Sequence, residues 1–128
     1  MDIRIKRVYE TVDAHDGFRV LVDRLWPRGR TKDQVRTDLW LKEVAPSTAL
    51  RKWFNHDQSR WEIFKSRYSA ELDDKPEIVK ILLEKAAKER LTLLFAAHDV
   101  EYNQAVVLKD YLLSASKQHG TKDKKQPS

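Results

Sequence analysis

The chain has 128 residues, 41% of them hydrophobic and 35% charged, a formal net charge of +5 and no cysteine. That length supports one domain with an ordinary core, no apolar run approaches the roughly 20 residues a membrane helix needs, and disulfides, thiolate nucleophiles and cysteine-ligated zinc are excluded. Of the net charge, +3 lies in residues 117–128, which hold four lysines and one aspartate; charge by itself is thus weak support for a nucleic-acid surface. We read 1–116 as a single domain and 117–128 as a basic, disordered tail.

Met1-Asp2-Ile3-Arg4 opens directly into a strand pattern, so no signal or transit peptide is expected. With the absent cysteines, a cytoplasmic address is the simplest expectation. Ile3, Ile5 and Val8 alternate with Arg4 and Lys6, the period of a half-buried first strand. Thr11 to Gly17 is a polar turn, and Phe18 to Leu25 is expected as the second strand. Pro27 stops that ladder for want of an N–H, and Gly29 lets the backbone turn. Asp23, Arg24, Trp26 and Arg28 are therefore delivered together at a strand end.

Arg30 to Asp38 reads as a charged loop with room for one helical turn. Leu39-Trp40-Leu41 is taken as a short strand. Ser47 caps a helix whose apolar face is Leu50, Trp53 and Phe54. Asp57 caps the next, expected over 58–72, where Trp61, Phe64, Tyr68 and Leu72 share one stripe. Arg60, Arg67 and Glu71 border that stripe. Pro76 suits a helix first turn, and Ile78, Ile81, Leu82 and Ala86 are expected to face the core. Leu91 to Ala97 is a continuous apolar run, as in a strand buried on both faces of a parallel sheet. A polar loop, His98 to Tyr102, precedes a last helix over 103–115.

This order predicts an α/β fold: a small, mostly parallel sheet of three or four strands flanked by helices, Rossmann-like and three-layered. In open α/β sheets ligands sit outside the strand carboxyl ends. Asp23 and Arg24 end the second strand on that edge, and His98 and Asp99 end the last.

The residues from Asp16-Gly17-Phe18 through Val22-Asp23-Arg24-Leu25-Trp26-Pro27-Arg28-Gly29 resemble the signature of the YeaO-like proteins, a family of unknown function. Two further blocks resemble it as well. One runs from Trp40-Leu41-Lys42-Glu43-Val44-Ala45-Pro46-Ser47 through Arg51-Lys52-Trp53-Phe54 and His56-Asp57 to Glu71-Leu72. The other is Thr92 to Ala97 with Asn103 to Leu108. The resemblance spans roughly residues 3 to 113 and implies a small α/β domain without an assigned activity. More distant relatives carry a Cys-His-Arg motif after the last strand, where this chain has Asn103-Gln104-Ala105, so thiol chemistry does not transfer. Close relatives often have lysine at the position of His98.

Three functional readings follow. In the first, an anionic small molecule bearing phosphate or carboxylate binds a cation-rich cleft. Arg24, Trp26, Arg28, Arg51, Arg67, Asn103 and Gln104 would hold it, and Asp23, His98 or Asp99 would move a proton if the protein is an enzyme. Arginine suits this through its planar bidentate fork, and a helix start at Asn103 offers free N–H groups. The plainer alternative makes Asp23 and the arginines a structural ion-pair network and Asn103 a helix cap. In the second reading Arg28, Arg30, Lys32, Arg36 and the lysine tail bind nucleic acid. In the third, an exposed Trp61–Phe64–Tyr68 stripe meets a protein partner. His56 reads as a polar residue beside the Asp57 cap. No metal site is expected, since neither His-Asp pair has i, i+4 ligand spacing. No cofactor is implied, as GxGxxG and Walker sequences are missing.

Overall fold

A computed structural model describes the backbone of residues 1–125 and side chains through Lys117. Four strands, β1 (Ile3–Arg7), β2 (Phe18–Leu21), β3 (Leu39–Trp40) and β4 (Leu91–Phe95), form one parallel sheet in the order β1-β4-β2-β3. It is flanked by α1 (Lys32–Val35), α2 (Thr48–Phe54), α3 (Trp61–Asp73), α4 (Pro76–Lys88) and α5 (Gln104–Lys125). This is the three-layer α/β arrangement the alternation of patterns predicts.

The layers are unequal, and strand parity explains how they are filled. Side chains alternate across a strand. Ile3, Val20, Val22, Leu91, Leu93 and Phe95 bury against α2–α5 in the main core, while Leu21, Leu94 and Val8 join Val35 of α1 on the other face. Central β4 is buried at every position, as its unbroken apolar run requires. Val8 therefore buries on the face opposite Ile3 and Ile5.

On the thinner side the sheet face is polar but fully paired. Arg19 is 4% exposed; its guanidinium meets Asp16 Oδ2 at 2.5 Å and donates to the carbonyls of Val35 and Arg36. Lys6 Nζ reaches Asp16 Oδ1 at 3.1 Å, and Thr92 Oγ1 donates to the Asp16 carbonyl. Burial pushes the Asp16 carboxyl up, but the Asp13 N–H, Lys6 and Arg19 outweigh it and hold the pKa below the usual value. The connection after β1 ends at Gly17 (φ +70), where a Cβ would lie 2.2 Å from the Arg90 carbonyl oxygen. Only glycine lets the chain pass there on its way into β2.

Several boundaries differ from the sequence reading. β2 ends at Leu21 rather than Leu25, with one further ladder bond from Val22 N–H to the Leu94 carbonyl. Beyond it the Asp23 carbonyl accepts from the Trp40 indole and its carboxylate accepts from Ala96 N–H. Side chains thus replace the ladder. β3 has only Leu39 and Trp40. The helix expected over 58–72 opens with a 3-10 turn at Gln58–Arg60 before α3 begins. On α4 the buried face is Val79, Leu82 and Ala86, whereas Ile81 is exposed. The helix expected to end at Ala115 is described to Lys125. Much of the tail expected over 117–128 lies outside the described residues: 126–128 entirely, and the side chains from 118 onward.

Local chemistry sets the helix starts. Ser47 Oγ accepts from Leu50 N–H, and its own N–H and hydroxyl donate to the Glu71 carboxylate at 2.8 and 2.6 Å. The α2 cap is thereby tied to α3. Buried Tyr68 donates its hydroxyl to the Val44 carbonyl at 2.6 Å, which fixes the turn leading to Ala45 and Pro46. Asn103 is 2% exposed; its Oδ1 accepts from Ala105 and Val106 N–H at the start of α5 and its Nδ2 donates to the Asp99 carbonyl.

Candidate functional site

The carboxyl ends of β2 and β4 open into a cleft of about 320 Å³. Asp23, Arg24, Trp26, Arg28, Arg51 and Gln104 all line it, together with Tyr9, His56 and the Ala96–Ala97 segment. β2 supplies the first four through the segment following Val22, α2 supplies Arg51 and the first residue of α5 supplies Gln104.

Asp23 is the hinge of the arrangement. One carboxylate oxygen accepts from Ala96 N–H at 2.9 Å and the other from the Gln104 side-chain amide. Removal from water pushes its pKa up to about 6 against the opposing pull of the Ala96 N–H, the Arg51 charge and Gln104. A carboxyl so placed is partly protonated near neutrality. Asp23 is spoken for by hydrogen bonds and forms no ion pair within 4 Å among the described residues.

Arg24 is held from behind. Arg24 Nη2 lies 3.5 Å from the Ala45 carbonyl oxygen and 3.4 Å from that of Pro46, while its buried Nε has no hydrogen-bond partner. Lys75 approaches the same turn, donating to the carbonyls of Glu43 and Ala45. Burial lowers the Lys75 pKa, and the Arg24 charge adds to the effect. Trp26 donates its indole N–H to the Arg30 carbonyl at 2.6 Å and packs edge-on against Trp40 at 5.4 Å. It is a wall of the cleft anchored in the smaller core. At the mouth, the Tyr9 ring lies between the guanidinium groups of Arg7 (4.9 Å) and Arg30 (4.8 Å).

A second hollow of about 270 Å³ adjoins the first, sharing Pro46, Arg51, His56, Ala97 and Gln104. Phe54, Phe64 and Tyr102 give it an aromatic lining, and Lys52, Asn55 and Asn103 complete it. Asn55 (φ 44) and His56 (φ 57) are both left-handed. Positive φ is uncommon for non-glycine residues, with asparagine and histidine among the types enriched there, and two in succession store some backbone strain.

The structure gathers Asp23, Arg24, Trp26, Arg28, Arg51, Asn103 and Gln104 and leaves three expected residues apart. His98 stands outside both hollows, its Nδ1 3.4 Å from Arg7 Nη2. Asp99 accepts from the N–H groups of Glu101 and Tyr102, which lower its pKa, and so shapes the loop before α5. Arg67 lies over the Trp53 ring at 4.6 Å, with Arg60 on the same ring at 5.2 Å. Tyr9, Pro46, His56 and Tyr102 are lining residues the sequence reading missed. Only the two-residue αL break after α2 could have pointed to His56. The Trp61–Phe64–Tyr68 stripe is buried, at 9%, 2% and 0% exposure, so the partner surface that reading required is not there. Among the described residues no three His, Cys, Asp or Glu side chains are grouped to hold a metal ion, and no helix is long and apolar enough to cross a membrane.

Fold and cleft together define a small α/β protein with a polar, arginine-lined hollow at the carboxyl edge of a parallel sheet. The chain belongs to the family described as the inactive DUF488-N3 subclade, whose model matches residues 2–128. It is similar to the uncharacterized protein YeaO of Escherichia coli (strain K12), 45% identical over 114 residues that cover 89% of this chain and 99% of the relative. It is also similar to the uncharacterized protein Rv3073c of Mycobacterium tuberculosis (strain ATCC 25618 / H37Rv), 42% identical over 110 residues, or 86% of this chain and 92% of the relative. No solved structure matches the chain.

Proposed function

We propose that the protein binds a small anionic molecule, carrying phosphate or carboxylate, in the cleft between the ends of β2 and β4. One observation carries the reading. Arg24, Arg28 and Arg51 line a single cleft, and none of them forms an ion pair with a carboxylate within 4 Å among the described residues. Structural arginines such as Arg19 are paired with a carboxylate, whereas Arg28 and Arg51 are exposed and have no carboxylate partner among the described residues. Asp23, with its pKa raised to about 6, offsets less positive charge than an ordinary carboxylate would.

The word "inactive" in the family description favours binding over turnover. Asp23 then acts as an acceptor that sets the orientation of Gln104, with no proton transfer to the ligand. Nothing in the geometry brings His98 or Asp99 to the anion, so the reading assigns them no role in binding.

The test is titration calorimetry with sulfate, whose charge is constant across the range used, on the wild type, Arg51→Gln and Arg28→Gln. A charge-assisted hydrogen bond is worth about 1.5–3 kcal/mol, so each variant weakens binding about tenfold or more. Affinity also declines as pH rises through about 6 in the wild type, and declines less in Asp23→Asn. Absence of sulfate or phosphate binding at millimolar concentration, or equal binding by the arginine variants, overturns the proposal.

A further inference from the structure

We infer that the ligand has two parts: an anionic group held by the arginine cleft and a planar aromatic ring that occupies the adjoining hollow. This rests on the anion-binding reading above and names the ligand class for the same site. The two hollows are neighbours, because Pro46, Arg51, His56, Ala97 and Gln104 line both. Beyond those shared residues their linings differ. On one side are Arg24 and Arg28; on the other are Phe54, Phe64 and Tyr102, with Phe54 and Phe64 stacked at 4.3 Å. Volumes of about 320 and 270 Å³ suit a ligand larger than a bare anion, since small-molecule sites run from roughly 300 to 1,000 Å³ and combine apolar walls with a few placed polar groups.

Tyr102 is the accessible aromatic of that lobe. Its ring is braced edge-on by Trp61 at 5.2 Å, and its backbone N–H is held by Asp99. A ligand ring lying against it gains offset or edge contact without a core residue moving. His56 stands at the waist between the lobes in a left-handed conformation. Strain of this kind persists where the surroundings over-determine it, commonly at ligand clamps. Exposed Asn55 adds a neutral donor and acceptor to the lining of the aromatic lobe, suited to ring nitrogens or carbonyls.

The experiment compares matched probes on the full chain: phenyl phosphate against inorganic phosphate, and phenylacetate against acetate. Burying a ring of this size predicts that the aryl member of at least one pair binds about tenfold more tightly. Tyr102→Leu removes most of that advantage while leaving inorganic phosphate within about twofold of wild type, and His56→Gly lowers the ratio of aryl to ring-free affinity. His56→Gly keeps the backbone conformation that glycine adopts without strain, so a folded variant is available even if Tyr102→Leu is not. If aryl and ring-free anions bind equally in both pairs, the two-part ligand is wrong and the arginine site stands. If no anion binds, both fail together. An aryl advantage untouched by either variant places the ring elsewhere and overturns the inference.

Discussion

Asp23 sits where backbone and side-chain chemistry meet, taking the Ala96 N–H after the β2 ladder has ended and holding Gln104 from the start of α5. Its folded-state pKa of about 6 lies above the ordinary 3.8. Between those values the folded protein binds the proton more tightly than the unfolded chain, so stability falls as pH rises through the window. Asp23→Asn removes that dependence. Its amide oxygen can accept from Ala96 N–H, and Gln104 can turn to present its own oxygen to the new NH₂ group. Thermal melts are expected to show Asp23→Asn more stable than wild type by about 1–2 kcal/mol at pH 7.5, discounted for the solvent at the cleft mouth. The difference should disappear below pH 3.8. A less stable variant at pH 7.5 would show that the carboxylate is net favourable where it stands. None of this was legible in the sequence, which places Asp23 at a strand end and says nothing of its desolvation.

At the scale of elements, the cleft wall depends on how α2 is docked. Ser47 caps α2 and binds Glu71 of α3 with both its N–H and its hydroxyl, while Tyr68 of α3 holds the Val44 carbonyl. The capping role follows from Pro46-Ser47 preceding an apolar i, i+3, i+4 pattern. The bridge to Glu71 joins residues 24 apart and has no local signature. Ser47→Ala is expected to cost about 1–2 kcal/mol in urea denaturation, and to weaken sulfate binding because Arg51 rides on the same helix. Glu71→Gln retains an acceptor for the Ser47 N–H and should lose less. If Ser47→Ala and Glu71→Gln are equally stable to wild type, the α2–α3 tie contributes nothing. The shortened β2 belongs to this scale too: Val20 and Val22 announce a strand, but Trp40 and Ala96 claim the groups that would have extended it.

Across the whole molecule, charge is used in two different ways, in the thin layer and at the carboxyl edge of the sheet. The polar side chains of the thin layer are mutually satisfied around Asp16, Arg19, Lys6 and Thr92. Breaking a buried pair of this kind by removing one partner costs about 3–5 kcal/mol. Arg19→Ala should therefore be strongly destabilised in chemical denaturation, yet bind sulfate within about twofold of wild type under conditions where it is folded. Arg51→Gln should show the reverse pattern. If Arg19→Ala loses anion binding while still folded, the two regions are not independent. Sequence alone cannot separate these classes, because an arginine's availability depends on which carboxylates the fold brings within reach.

What the sequence by itself determined were the features carried by short-range pattern. The apolar run from Leu91 to Ala97 pointed to a doubly buried strand, observed over Leu91–Phe95, and Asn103 to a helix start, whereas the Trp61–Phe64–Tyr68 stripe was legible as one face without the sequence deciding what covers it. From these the parallel α/β architecture follows, and with it the carboxyl edge that the signature around Asp23-Arg24 occupies. Tertiary structure alone decided the membership of the site. His56 entered from the turn after α2 and Tyr102 from the loop before α5, while His98, Asp99 and Arg67 found partners in Arg7, local N–H groups and Trp53. The physical reason is that strand and helix periods report which face a residue is on. Which charges meet, and which are left over, is a property of contacts between segments far apart in the chain.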